Sequence, residues 1–274
     1  MPKSYLSSEP AMMRAVLNRF DPFLQVRNRL QSLQATGHFT DKIDLIISGG
    51  TFSFYPKSYQ TAFVRRVFNA LNHPLPASRS LAAAQLLNET AANRCIGLSL
   101  ETRPDLITET ELRRMRRLGC TRVEIGVQSL KDEVLAASRR GHGVAEVKRA
   151  MRLLKDSAFK VNAHMMPNLP GATPEGDLAD MRELFENPDY RPDWLKVYPC
   201  MVVPWSELEG IHRRGLYHSY DDATLIDLLV EMHRIWPEYV RVTRIYRDIP
   251  ADFVLAGSKL SNLRQVVERR LQEQ

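Results

Sequence analysis

Cys120-Thr121-Arg122-Val123-Glu124-Ile125-Gly126-Val127-Gln128-Ser129 reads as a short strand over 122–127 that runs into a polar tip. Five other stretches repeat this pattern, at 43–48, 95–100, 160–165, 194–198 and 239–245. Their apolar runs are nearly continuous, which predicts strands covered on both faces. Helical periodicity fills the intervals. It predicts one long helix over 10–35, ended by Gly37, and further helices over 58–72, 80–92, 108–118, 144–157, 173–185 and 221–235. Leu112, Met115 and Leu118 form an apolar stripe that would leave Arg113, Arg114, Arg116 and Arg117 outward. Strand–helix alternation without an internal repeat predicts an α/β fold, with a parallel sheet or barrel and right-handed crossovers.

In such folds ligands sit at the carboxyl ends of the strands. Five strands end in polar or glycine-rich strings: Ser48-Gly49-Gly50-Thr51, Glu101-Thr102-Arg103-Pro104, Gly126-Val127-Gln128-Ser129, His164-Met165-Met166-Pro167 and Lys196-Val197-Tyr198-Pro199. Packing alone does not explain polar tips on successive strands, so a binding or active site is expected there. Gly49-Gly50-Thr51 lets backbone groups approach a ligand, or simply makes a tight turn. Glu101 and Gln128 could hold hydroxyls or an amino group, or cap helices. Arg140, in Ser138-Arg139-Arg140-Gly141-His142, could clamp a carboxylate or join a surface charge pair. His164 reads as a ligand, a base or a hydrogen-bonded core residue. Met165 and Met166 read as packing. Tyr198 reads as core or as a stacking platform.

The 274 residues are 44% hydrophobic and 26% charged, as in ordinary globular proteins. Neither a membrane span nor a signal peptide is apparent, which predicts a cytoplasmic protein without a membrane partner. Cys95, Cys120 and Cys200 are an odd number and far apart, so they read as reduced structural thiols. The net charge is +6, and arginines cluster at 113–117, 139–140 and 241–247. Such a field favours a phosphate-rich partner, or is a solvated basic surface.

Taken in order, the motifs are specific. They are Asp-Pro-Phe-Leu-Gln-Val-Arg at 21–27, Gly-Gly-Thr-Phe at 49–52, Glu-Thr-Arg-Pro-Asp at 101–105 and the 120–129 string. Arg-Gly-His at 140–142, Phe-Lys-Val-Asn-Ala-His-Met-Met-Pro-Asn-Leu-Pro-Gly at 159–171 and Arg-Asp-Ile-Pro at 247–250 follow. Over essentially the whole chain this resembles the radical-SAM domain of the Elongator catalytic subunit, a radical-SAM/acetyltransferase tRNA-modifying enzyme. The resemblance implies a partial (β/α) TIM-like barrel of the radical-SAM type. It implies modification of the wobble uridine of tRNA at carbon 5, with S-adenosylmethionine, a [4Fe-4S] cluster and acetyl-CoA as cofactors. It implies contacts from Gly49, Gly50 and Thr51 to the methionine amino group. Glu101 and Gln128 would lie near ribose and methionine, and Arg140 near the carboxylate. The family's His-x-x-Asp-Lys string matches His38, Asp41 and Lys42, with Lys42 as the acetyl-CoA contact. Lys196, Arg241, Arg244 and Arg247 are the implied tRNA-phosphate contacts. The implied partners are tRNA and either other Elongator-type subunits or a second copy.

Two departures shape the expectation. The family's cluster cysteines fall just upstream of the part matching Ser4-Tyr5, and no cysteine precedes Cys95 here. An acetyltransferase domain would follow Ser261-Asn262-Leu263-Arg264. Residues 1–274 are therefore expected to be a radical-SAM core without its first strand or its acetyltransferase domain, an inactive or partial core with an exposed sheet edge beside 43–48. Pro204-Trp205 departs from the family's basic residue and glycine. The alternatives are a non-catalytic module that binds tRNA or a partner, and a different radical-SAM enzyme of the coproporphyrinogen-oxidase type.

Overall fold

The computed structural model describes residues 5–6 and 9–273. In chain order the elements are α1 (Pro10–Leu17), α2 (Pro22–Ala35), β1 (Lys42–Ile47), α3 (Lys57–Asn72), α4 (Leu81–Asn88), β2 (Arg94–Thr102), α5 (Glu109–Arg117) and β3 (Arg122–Gln128). There follow α6 (Asp132–Ala137), α7 (Val144–Asp156), β4 (Lys160–Met165), α8 (Pro174–Glu186), β5 (Trp194–Val197), α9 (Glu207–Arg213), α10 (Asp222–Arg234), β6 (Arg241–Arg244) and α11 (Leu263–Gln272). The six strands form one sheet in the order β1-β2-β3-β4-β5-β6. β1 pairs with β2, β4 with β5 and β5 with β6, all parallel. Neighbours in sequence are neighbours in the sheet, which is the expected α/β class.

Two compact units divide the chain. One comprises Tyr5–Thr102 and Thr108–Val123; the other comprises Arg103–Ile107 and Glu124–Gln274. In the first, Val64, Val67, Phe68 and Leu71 of α3 bury a stripe, as do Leu112 and Met115 of α5. In the second, Val147, Ala150, Met151 and Leu154 of α7 are fully buried, as the i, i+3, i+4, i+7 spacing requires.

Three expectations need correction. The helix over 10–35 is two helices, because Arg19 and Phe20 take left-handed backbone (φ 53° and 57°). Pro22 forces the break: it has no N–H to donate and is tolerated only at a helix start. Asp21 then caps α2, its carboxylate accepting from Phe23 N–H at 2.8 Å. Secondly, coverage on both faces holds for β3, which is buried at every position, but not for β1 or β6. β1 ends the strand order and alternates between exposed and covered, with Ile46 45% exposed. Thirdly, Arg114 does not face outward. It is half-buried, bonded to Gln60 and ion-paired to Glu111.

The inner face of the second unit carries charge inside the core. Glu124 is 1% exposed, in the middle of β3. Its Oε2 accepts from Lys196 Nζ of β5 and lies 3.1 Å from His164 Nε2 of β4. Its Oε1 accepts from Asn162 Nδ2 at 3.4 Å. His164 and Lys196 are register partners across β4 and β5. Burial opposes ionisation of Glu124. Hydrogen bonds and charge from His164 and Lys196 outweigh it and hold the carboxyl down at about 2. A bond to an ionised carboxylate makes His164 Nε2 a donor.

Two expected outcomes follow from these contacts. Asp21→Ala should cost about 1 kcal/mol in urea denaturation, the value of an N-cap. Arg66→Ala, which removes only the half-exposed partner of Asp21, should cost much less. Glu124→Gln should cost about 3–5 kcal/mol at neutral pH, because it strands a buried ammonium. The folded pKa of Glu124 lies below its unfolded value, so its stabilisation is present above about pH 4.5 and lost as pH falls through about 2. The gap between wild type and Glu124→Gln should therefore close across that window. A gap that stays constant from pH 7 to pH 2 would contradict the assignment.

Candidate functional site

The polar tips of β1 and β2 meet in the first unit. The Gly50 backbone N–H donates to Glu101 Oε2 at 3.4 Å, and the Tyr5 hydroxyl donates to the same oxygen at 2.7 Å. Gly49 and Gly50 have φ of 153° and 80°, backbone that an L side chain adopts only with strain. Nothing lies within 4 Å of where a Gly49 Cβ would stand, so the glycine leaves open space above the strand end. Thr51 follows, buried. The glycine pair, Thr51 and Glu101 are thus brought together. Lys42 is not with them. It starts β1, exposed, after exposed His38 and Asp41, with the rest of the strand (about 16 Å of rise) separating it from Gly49.

A second cluster forms in the other unit at the end of β3. Gln128 has φ 76°, a strained value for a non-glycine residue, and Met166 N–H bonds to its carbonyl at 2.8 Å. Its side-chain Oε1 is buried and has no donor. A Cβ on Gly126 would stand 2.7 Å from Gln128 Nε2 and 3.1 Å from Arg140 Nη2. Gln128 and Arg140 therefore converge over one glycine. Arg139 turns outward instead, in an exposed pair with Glu207 at 2.8 Å. Sequence reading passed over two neighbours of Arg140. Arg103 is held by two bonds to Asp105 (2.9 and 3.0 Å), and a Cβ on Gly141 would stand 3.1 Å from its Nη2. His142 is buried, and burial, then the charge of Arg140, lowers its pKa. Two guanidiniums beside a largely dry imidazole suit a carboxylate or phosphate ligand.

The loop after β4 is tied down from several sides. Asn168, at φ 69°, donates its N–H to Asp177 at 2.8 Å, and its carbonyl accepts from the Tyr217 hydroxyl at 2.7 Å. Tyr220 donates its hydroxyl to the same Asp177 oxygen. Burial pushes Asp177 up to about 6 in spite of these donors. Met165 is core, and Met166 packs on the Val134, Leu169 and Cys200 cluster. The Tyr198 ring stands edge-on to His164, 5.6 Å away.

The expected phosphate contacts differ among themselves. Lys196 is 9% exposed and ion-paired to Glu124, an interior cation unlike the three arginines. Arg241 is exposed, its guanidinium 4.7 Å from the Trp194 ring centroid. Arg244 is exposed and paired with Asp248, and Arg247 is half-buried.

The thiols do not gather into a ligand set. Cys95 opens β2, Cys120 precedes β3 and Cys200 follows β5. Burial pushes them up to about 11, 12 and 11 respectively. Among the described residues no group of three or more His, Cys, Asp or Glu is placed to hold a metal ion. Among them, too, no helix is long and apolar enough to cross a membrane.

Comparison with known proteins adds identity to this geometry. Residues 17–184 match the Radical SAM superfamily, and residues 192–273 match the Radical_SAM C-terminal domain. The chain is 44% identical over 273 residues to a tRNA uridine(34) acetyltransferase of Methanocaldococcus infernus, covering 100% of this chain and 51% of that protein. It is 41% identical over 271 residues to human Elongator complex protein 3, covering 99% of this chain and 49% of that protein. A solved structure of archaeal Methanocaldococcus infernus Elp3 with an N-terminal deletion superposes at a TM-score of 0.91 with 43% identity, over 97% of this chain and 61% of that one. The chain spans about half the length of the curated relatives it matches. The superfamily implies S-adenosylmethionine and an iron–sulfur cluster. The glycine cradles, the donorless Gln128 Oε1 and the Arg140 guanidinium fit the first. The three dispersed, protonated thiols do not fit the second, which needs thiolates assembled together. With its strand-end clusters, its parallel strand order and a match across residues 17–184, this chain belongs to the radical SAM superfamily, and it is related to the tRNA uridine(34) acetyltransferases and Elongator complex protein 3.

Proposed function

We propose that this chain is the S-adenosylmethionine- and tRNA-binding core of an enzyme that modifies uridine 34 of tRNA. The observation that carries the reading is the convergence of Gln128 and Arg140 over Gly126, with a buried amide oxygen left open to a ligand donor. Gly49, Gly50, Thr51 and Glu101 would take the methionine amino group, with Glu101 as the anionic acceptor. Gln128 Oε1 would accept from a ribose hydroxyl, and Arg140 would pair with the methionine carboxylate, with Arg103 and His142 beside it. Bound there, S-adenosylmethionine would supply radical chemistry to an enzyme that provides a reduced cluster, and no step through a cluster is assigned to the thiols of this chain. Lys42 remains the candidate for acetyl-CoA, at the far end of β1 from the glycine pair. Relatives at 41–44% identity favour the Elongator type over other radical-SAM chemistry.

The exposed Arg241 and Arg244, with Arg247, form the candidate tRNA surface. Arg241 over Trp194 offers a flat, charged platform suited to an unstacked base as well as to phosphate. Other Elongator-type subunits, or a second copy of the chain, are the proposed protein partners. The buried thiols favour one second reading, in which this chain binds its ligands without performing chemistry.

Two measurements test the first reading. Arg140→Met should weaken S-adenosylmethionine by about 1.5–3 kcal/mol in calorimetry, the value of a bond to a charged group. Unchanged affinity would remove Arg140 from the site. Binding of tRNA should fall steeply with salt, and replacing Arg241, Arg244 and Arg247 by Gln should flatten the log–log slope by roughly 2–3. An identical slope in the triple variant would refute the proposed surface.

A further inference from the structure

Residues 45–88 contain no aspartate or glutamate, yet they carry Lys57, Arg65, Arg66 and Arg79. Among the described residues, only Arg66 of these four is ion-paired, to Asp21. The same stretch exposes a run of rings directly after the glycine pair. Phe54 is 70% exposed, Tyr55 44% and Tyr59 46%. Residues 54–59 are exposed without interruption, with Lys57 among the rings. Three neighbouring open rings exceed the scattered apolar side chains of an ordinary surface. They are braced from below. The Tyr55 and Tyr59 centroids lie 5.3 Å apart, Tyr55 continues to buried Phe52 at 6.2 Å, and Tyr59 to Phe63, one turn further along α3, at 5.9 Å. Phe52 and Phe63 close the ladder at 5.8 Å. The backbone is held as well. Gln60 Nε2 donates to the Tyr55 carbonyl at 2.6 Å, and Thr102 Oγ1 donates to Ser53 Oγ at 3.1 Å, which ties the loop to the end of β2.

Rigid rings interleaved with cations, in a stretch free of carboxylates, match unpaired nucleotides: each base brings a face to stack and each phosphate a charge to meet. We propose that Phe54, Tyr55 and Tyr59 form a stacking platform for unpaired RNA bases, with Lys57 meeting the phosphates that join them. This deepens the proposed function and rests on it, since it names where single-stranded nucleotides of the substrate are held. The platform follows Gly49-Gly50 at the end of β1, the end where ligands enter such folds. The buried rings of the ladder and the two backbone ties fix it before RNA arrives, so little ordering is lost on binding. Stacking tolerates any base, so this surface supplies affinity and placement and leaves the choice of base to other groups.

The test compares a labelled uridine heptanucleotide with an abasic ribose-phosphate strand of the same length, which keeps the charge and lacks the bases. Each is titrated with the full chain and followed by fluorescence anisotropy. The heptanucleotide should bind at least about tenfold more tightly. Combining Phe54→Ala, Tyr55→Leu and Tyr59→Leu should remove most of that preference and leave abasic binding as it was. Phe54→Ala alone changes an exposed ring, and should cost about fivefold in heptanucleotide binding while keeping the wild-type urea midpoint. Tyr55→Phe with Tyr59→Phe keeps the rings and should bind as wild type. Lys57→Gln should flatten the log–log salt slope by about 0.7 with the base preference intact. Equal binding of the two strands, or a preference undiminished in the triple variant, would overturn the proposal. So would a dimer in sedimentation that Phe54→Ala disperses, which would give this face to a second copy. Binding of tRNA and its dependence on Arg241, Arg244 and Arg247 are scored separately. A chain that binds tRNA through those arginines yet treats the two strands alike loses this inference alone. A chain that prefers the heptanucleotide yet ignores tRNA loses the broader reading.

Discussion

A carboxylate that cannot reach water has to find its partners in the protein, and Glu124 is such a group. β3 is buried at all seven positions, so a negative charge at its middle would be prohibitive alone. β4 and β5 supply the remedy, as His164, Asn162 and Lys196 converge on the two oxygens of one side chain. The inner face of the second unit is therefore polar by necessity, and its polar atoms are fixed in direction. A hydrophobic replacement would serve packing equally well. The cluster instead fixes β3, β4 and β5 to one another through a single carboxylate.

Glycine performs the complementary role at the strand ends. Gly126 leaves the space where Gln128 and Arg140 approach each other, and Gly49 and Gly50 bend the backbone so that an N–H reaches Glu101. Strain is concentrated at the same places: Gln128 carries a positive φ at the end of the best-buried strand. Such strain persists only where surrounding structure enforces it. Membership of the radical SAM superfamily is consistent with open strand ends of this kind.

The strands and their polar tips were legible because a buried parallel strand leaves a plain signature, a short apolar run bounded by glycine or polar residues. The break at Asp21-Pro22 was legible too, since proline directly after a cap residue marks a helix start, yet the apolar periodicity across 10–35 masked it. An open edge beside 43–48 was expected, and β1 does end the strand order. The exposure along β6 was not legible, because an edge strand and a central strand differ in their neighbours and not in their own composition. The interior fate of Lys196 has the same cause. A lysine at a strand end reads as a surface cation until the partner, Glu124, is seen two strands away. One signal was available: charged or polar residues stand within the apolar runs of three strands, at Glu124, His164 and Lys196, and interior charges must pair. Arg103 was hidden, because nothing in its own segment points to Arg140, whereas His142 stood two residues from Arg140 in the 138–142 string and was given no role there.

The most direct measurement is a carbon-detected NMR titration of the Glu124 side-chain carboxyl. A charge held by Lys196 and His164 predicts a carboxyl resonance that stays in its ionised position as the pH is lowered from 7 to 4, in keeping with a pKa of about 2. A titration step centred in the ordinary carboxylate range, about 4.5, or above it, would show that the cluster does not hold that charge and would contradict the account.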